Sequence, residues 1–290
     1  MPELPEVETI KQGLDRLLPG QKVISAESDW AKSFPNALED IKQFLLQAEI
    51  LRVRRRAKVL IIDLSSGYSL VVHLKMTGQM VFRDNTERFG AGHPSGSLIG
   101  DLPDKSTRVI IGFADGGQLF FNDQRKFGWM RLIPTMEIVN LDFFRKVGPE
   151  PLSDDFSGKV LIKRIKRRKN SSIKAVLLDQ TIVAGIGNIY ADESLWGAKL
   201  HPATLVSSIK PRQADRLYQE IVTVLKLSIE KGGSTDKNYI DAEGKRGSYL
   251  SFAKVFRREG QPCPRCGHII EKIRVAGRGT HFCPVCQKRP

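Results

Sequence analysis

Two kinds of hydrophobic patterning divide the chain. Val7, Ile10, Leu14 and Leu17 recur three and four residues apart, which predicts an opening helix that starts near Pro5 and buries one face. From residue 21 to residue 132 the period shortens toward two. Strands are expected at Lys22 to Glu27, Ile50 to Arg54, Val59 to Leu64, Ser69 to Leu74, Arg108 to Phe113 and Gln118 to Asn122, with turns at Ser66-Gly67 and Asp115-Gly116-Gly117. Residues 84 to 106, rich in Gly, Pro, Ser and Asp, are expected to form one long loop. After Gly148-Pro149-Glu150-Pro151 the helical period returns, at Ile173 to Leu178, Asp192 to Trp196 and Pro211 to Glu230, the last ending at Gly232-Gly233. Residues 234 to 250 are polar, and a short β-rich tail follows. The expected class is α+β: an N-terminal β-sandwich with flanking helices, then a helical C-terminal part.

Charge narrows the range of partners. The 290 residues carry 46 Lys and Arg against 32 Asp and Glu, a net charge of +14, and an isoelectric point near 9.7. A surplus of that size implies a polyanion whose phosphates release counterions on binding. No apolar run reaches the roughly 18 residues that span a bilayer, and the N-terminus is acidic where a signal peptide would be basic. A cytoplasmic protein without a membrane partner is expected.

All four cysteines lie between residues 263 and 286, which argues against a disulfide framework spread through a secreted chain. Cys263-Pro-Arg-Cys266 and Cys283-Pro-Val-Cys286 flank sixteen residues, the spacing of a four-thiolate zinc ribbon. One structural zinc is expected, two disulfides being the alternative. Between the knuckles, Lys272, Arg274 and Arg278 decorate an expected hairpin, with Gly277 and Gly279 flanking Arg278 at its tip, where an Arg either clamps a phosphate or is merely solvated.

Other segments carry chemistry with two readings each. Gly185-Ile-Gly187-Asn188 runs into a helix and offers N–H groups to a phosphate, or is a tight structural turn. Lys163 to Lys169 is a basic run, and with Lys174 and that turn it reads as a backbone-binding helix pair, or as a solvated face. Arg54-Arg55-Arg56-Ala57-Lys58 ends one strand and begins another, holding Lys58 at a strand start. Met76 and Phe127 sit in turns after strands, as core fillers or, with Arg125, as a wedge that replaces an extruded base. Removal of Met1 would expose the secondary amine of Pro2 beside Glu3 at the positive end of the first helix. Such an amine attacks a sugar C1 and yields an iminium without an external base. Pro2-Glu3 by itself reads as no more than a helix start with favourable acids.

The octet Met1-Pro2-Glu3-Leu4-Pro5-Glu6-Val7-Glu8, followed by these motifs in this order, resembles the formamidopyrimidine-DNA glycosylases from residue 1 to about residue 288. The resemblance implies a base-excision repair enzyme that removes oxidised purines from duplex DNA and cuts the abasic site by β,δ-elimination. It makes Pro2 the Schiff-base nucleophile and Glu3 the acid, with Glu6 in support. Lys58 and Arg278 become phosphate contacts and proton donors, and Met76, Arg125 and Phe127 the void-filling triad. Lys169, Lys174 and Asn188 become phosphate contacts of a helix-two-turn-helix domain, and Tyr239 part of a base-capping loop. Ser106 falls among the DNA contacts, although the family usually has a His there and Arg108 is left to compensate. Asp236-Lys237-Asn238 and Arg257 also depart from the usual pattern.

The domains implied are a catalytic β-sandwich at 1–134, a linker at 135–151, a helix-two-turn-helix domain at 152–250 with its capping loop at 233–250, and a zinc finger at 251–290. The enzyme is expected to be a monomer on damaged double-stranded DNA, in the bacterial cytoplasm with the nucleoid. Two rivals stand beside it: the related branch that removes oxidised pyrimidines, and a non-enzymatic zinc-ribbon nucleic-acid binder.

Overall fold

The computed structural model describes residues 2–93, 95–234 and 249–289. The chain divides into two compact units, one of Met1–Arg145 with Lys231–Ser248 and one of Lys146–Glu230 with Tyr249–Pro290.

The first unit is a sandwich of two antiparallel sheets with a helix packed into its core. Helix α1 (Leu4–Leu17) leads into β1 (Val23–Ser28), the short α2 (Leu38–Asp40) and a π turn at Ile41–Leu45. The strands β2 (Ile50–Arg56), β3 (Val59–Leu64), β4 (Tyr68–His73), β5 (Gly78–Arg83), β6 (Arg88–Gly92), β7 (Thr107–Phe113), β8 (Gln118–Asp123) and β9 (Trp129–Pro134) follow, then α3 (Asp142–Lys146). One sheet has the order β1-β7-β8-β5-β6 and the other β2-β3-β4-β9.

Alternation along the strands explains the layering. Leu60, Ile62, Leu70 and Val72 face the central core together with Met80, Phe82, Val109, Ile111 and Phe121 of the other sheet and Val7, Ile10 and Leu14 of α1. Val59, Ile61 and Val71 point the other way, onto Ile138 and Phe143. Because β3 is buried on both faces, its first four residues read as an unbroken apolar run. The long loop expected at 84 to 106 instead contains β6, whose Gly90, Ala91 and Gly92 carry too little side chain to announce a strand.

The second unit is helical around its own core. Its elements are α4 (Gly158–Ile165), α5 (Ile173–Leu178), α6 (Asn188–Gly197), α7 (Pro211–Glu230) and α8 (Tyr249–Phe252), then the hairpin β10 (Glu271–Val275) and β11 (Arg278–Phe282). Helix α4 occupies the front of the basic run; Ser157 caps it, accepting from the Val160 N–H, and Leu161 and Ile165 bury one stripe. The hairpin turn is Ala276-Gly277, both at positive φ (50° and 74°), so Arg278 opens β11 opposite Val275 rather than forming the tip. Among the described residues, no helix is long and apolar enough to cross a membrane. Tyr239 and residues 235 to 248 of the expected capping loop lie outside the described residues.

Candidate active site

Helix α1 begins with a capping box that organises the N-terminal acids. The Glu3 carboxylate accepts the Glu6 backbone N–H, and Glu6 Oε2 accepts the Glu3 N–H at 2.7 Å. Glu6 Oε1 accepts the N–H of Ser234 at 2.8 Å, so one carboxylate joins the first helical turn to the start of the segment after α7. Gly233 permits this approach: it has φ +85°, and a Cβ there would lie 3.2 Å from the Glu6 side chain. Pro2, Glu3 and Glu6 are all buried.

Lys58 occupies the tight turn between β2 and β3, next to Ala57 at φ +54°, and is 6% exposed. Arg55 braces that turn, donating to Ala57 O at 2.9 Å and pairing with Glu8 of α1 at 2.7 Å. Hairpin pairing sets His73 opposite Val59. Burial, reinforced by the charges of Lys75 and Lys58, pushes the His73 imidazole down to about 3. It is neutral, and its Nδ1 accepts the Lys75 N–H at 3.0 Å.

The sheet register then brings two loops side by side. Gly78 pairs with Asp123, which makes the β4–β5 loop with Met76 a neighbour of the β8–β9 loop with Arg125 and Phe127. Met76 is 37% and Phe127 56% exposed, and the Arg125 guanidinium lies 4.8 Å from the Phe127 ring centroid. Met76 and Phe127, read as possible core fillers, are instead exposed on neighbouring loops together with Arg125.

In the second unit, Gly187 leads into α6, and Asn188 at its first position donates Nδ2 to Gly279 O at 3.1 Å. Its Oδ1 is buried without a partner among the described residues. The backbone beside exposed Arg278 is therefore tethered to the helix start, and Lys169 at the end of the basic run is exposed. The four cysteine sulfurs lie within 4.8 Å of one another.

The chain matches family models for the formamidopyrimidine-DNA glycosylase N-terminal domain over residues 1–130, for the H2TH domain of the same enzymes over 147–239, and for a zinc finger found in FPG and IleRS over 260–289. It is 43% identical to the formamidopyrimidine-DNA glycosylase of Pelotomaculum thermopropionicum and 41% identical to that of Desulforamulus reducens, covering 99% of each chain in both cases. A Lactococcus lactis Fpg in complex with abasic-site DNA superposes with a TM-score of 0.87 at 36% identity, over 99% of this chain and 100% of that one. The chain belongs to the formamidopyrimidine-DNA glycosylase family. It is a DNA glycosylase with abasic-site lyase activity.

The glycosylase holds one structural zinc, and the donor geometry fits it. A tetrahedral tetrathiolate with Zn–S near 2.3 Å sets its sulfurs about 3.8 Å apart; here Cys263 and Cys286 are 3.9 Å apart and Cys266 and Cys283 3.5 Å. Trp196 Nε1 donates to Cys263 Sγ at 3.4 Å, an outer hydrogen bond of the kind that orients metal thiolates.

Two expected DNA contacts are corrected by burial. Lys174 is 0% exposed, and its ammonium donates to Asp192 Oδ1 at 2.6 Å, Thr280 Oγ1 at 2.7 Å and Gly279 O at 3.2 Å. Three donors meet three acceptors, leaving none for a phosphate. Lys174 instead fastens the finger strand to α5 and α6. Ser106 is 3% exposed, with its hydroxyl engaged by Asp104 at 2.7 Å and Ser97 at 3.0 Å. Arg108 does not replace it, since its guanidinium is turned inward onto Asp29, Lys105 O and Asp123 O.

Two acids escaped sequence reading. Asp192 Oδ2 accepts the His281 N–H at 2.9 Å, which completes the Lys174 anchor. Glu193 accepts the N–H groups of Lys254, Val255 and Phe256 at 2.8 to 2.9 Å; burial pushes its carboxyl above the usual range against those donors. Adjacent acids on a helix look like a solvated face in sequence, and only their tertiary partners distinguish them.

Proposed function

We propose that this glycosylase excises oxidised purines, 8-oxoguanine and formamidopyrimidines, from duplex DNA through a Schiff base at Pro2 and then cuts the abasic site by β,δ-elimination. With Met1 removed, the Pro2 secondary amine attacks C1′ of the damaged nucleotide and the base departs with the electrons of the glycosidic bond. Glu3 protonates the deoxyribose ring oxygen as the ring opens, leaving an iminium. That cation acidifies the neighbouring sugar protons; loss of one expels the 3′ phosphate, and a second elimination expels the 5′ phosphate. Lys58 and Arg278 hold phosphates and return protons to leaving groups, while Met76, Arg125 and Phe127 fill the space of the extruded nucleotide. Asn188, Lys169 and Tyr239 add contacts to DNA, and zinc keeps the Arg278 hairpin folded.

The observation that carries this reading is the buried N-terminal turn, in which the capping box holds Glu3 next to Pro2 while Glu6 reaches the start of the expected capping loop. The reading divides the chain into a catalytic domain at 1–134, a linker at 135–151, a helix-two-turn-helix domain at 152–250 and a finger at 251–290. It places the enzyme as a monomer in the bacterial cytoplasm, drawn to DNA by its +14 charge. A mutant Lactococcus lactis Fpg has been crystallised with a Fapy-dG-containing DNA and the wild type with an oxidised-pyrimidine-containing DNA, so substrate preference is the point to test. Borohydride trapping is compared on duplexes with 8-oxoguanine opposite cytosine and with an oxidised pyrimidine. Faster trapping on the purine supports the reading; preference for the pyrimidine moves the enzyme to the other branch, and no adduct on either overturns catalysis through an imine.

A further inference from the structure

Asp123 ends β8, is 0% exposed, and has no place in the chemistry above. Its carboxylate gathers four donors from two loops. Oδ1 accepts the Thr77 hydroxyl of the Met76 loop and the Arg125 N–H at 3.2 Å. Oδ2 accepts the N–H groups of Phe127 at 2.8 Å and Gly128 at 2.6 Å. The Arg125 N–H also reaches Thr77 Oγ1 at 3.1 Å, closing the link between the loops.

Several features make this junction a built one. The main chain of Asp123 is itself fixed, its N–H donating to Ser106 O at 2.7 Å and its carbonyl accepting from Arg108 Nε at 3.0 Å. Gly128 is needed for the approach, because a Cβ there would stand 3.1 Å from Asp123 Oδ2 and 2.7 Å from the Phe121 ring. Each loop also holds a Lys at positive φ immediately before its apolar tip: Lys75 (φ 49°) before Met76, and Lys126 (φ 58°) before Phe127. Non-Gly residues keep such conformations where surrounding structure over-determines them: Arg125 and Phe127 on either side of Lys126 both donate to Asp123, while the Lys75 N–H is held by His73 Nδ1.

We propose that Asp123, acting through Thr77 and the 125–128 backbone, is the positioning residue that locks Met76, Arg125 and Phe127 into a single wedge before DNA is met. The proposal rests on the void-filling role given to those three side chains. Without the junction the two loops would have to be ordered at the moment of insertion, so wedge entry slows while imine chemistry on an already exposed sugar does not.

The test uses the full-length zinc-loaded enzyme and a duplex with an abasic analogue opposite 2-aminopurine, whose fluorescence reports wedge entry. Thr77→Val removes one tie, Asp123→Asn several, and Thr77→Ser keeps the hydroxyl; Phe127→Ala removes part of the wedge. Insertion by Thr77→Val and Asp123→Asn is expected to slow on the order of tenfold, as for loss of a hydrogen bond to a charged group. Thr77→Ser should match the parent, and borohydride trapping on a single-stranded abasic site should be unchanged in all three. Should Phe127→Ala be defective while Thr77→Val and Asp123→Asn insert at the parent rate, the positioning role is overturned and the wedge stands. If Phe127→Ala leaves the signal unchanged, the wedge reading itself fails. Equal losses on duplex insertion and single-strand trapping would reduce Asp123 to a general fold support and also overturn the proposal.

Discussion

Replacing Lys174 by Met separates a buried anchor from a phosphate contact. The change strips Asp192, itself 0% exposed, of its cationic partner at 2.6 Å. Removing one member of a buried, hydrogen-bonded ion pair costs about 3–5 kcal/mol, because the other charge stays behind without compensation. Gly279 O retains the Asn188 amide, so the finger strand is loosened rather than released. Urea denaturation of the zinc-loaded protein should register a loss in that range for Lys174→Met, and most of it should return in Lys174→Met/Asp192→Asn, where no charge is stranded. Duplex affinity measured against salt concentration supplies the second readout. Each phosphate neutralised contributes about 0.9 to the log–log slope. Because the ammonium is saturated by protein acceptors, the double variant should keep the parent slope. A slope reduced by about one, with stability unaltered, would show that Lys174 meets DNA and would refute the reasoning.

Three other outcomes follow from named geometry. His73, neutral in the fold with a pKa near 3 against about 6.5 in the unfolded chain, makes the unfolded state bind more protons in that window. Its contribution is complete above about pH 6.5 and is lost as pH falls toward 3, at up to about 1.4 kcal/mol per unit, so urea titrations at pH 7, 6 and 5 should fall more steeply for the parent than for His73→Gln. Gly233→Val places a β-branched side chain at φ +85° against Glu6; base excision should fall several-fold while cleavage of a preformed abasic site falls less, measured on matched duplexes, and equal losses would argue against a capping-loop latch. Chelation of zinc should unfold the Arg278 hairpin and lower duplex affinity reversibly, with zinc re-addition restoring both in circular dichroism and gel-shift titrations; unaltered affinity would remove the finger from binding.

Much of the fold was legible where residues announced their own partners. The stripe Val7, Ile10, Leu14 became the buried face of α1, the run Val59 to Leu64 became β3 with the expected bounds, and the two Cys knuckles converged. Strands β5, β6 and β9 were not foreseen. Gly78 to Arg83 is buried on both faces and does not alternate, and the glycine-rich β6 looks like a loop. Trp129 to Pro134 carries Arg131 and ends in Pro. Among site residues, the failures share one cause. A Lys on an apolar helix, a Ser before a strand and an Asp at a turn reveal nothing about burial, because each also has a partner outside its local segment, at 18, 9 and 46 positions away. Lys174, Ser106 and Asp123 are settled by tertiary contacts that no local pattern encodes.

The account rests most heavily on one bond, between the nitrogen of residue 2 and a sugar carbon. Enzyme incubated with an 8-oxoguanine duplex and borohydride should yield a reduced adduct that, after proteolysis and mass spectrometry, maps to an N-terminal peptide beginning at Pro2, with Met1 absent. An adduct on a lysine such as Lys58, or full base excision by protein that retains Met1, would contradict it.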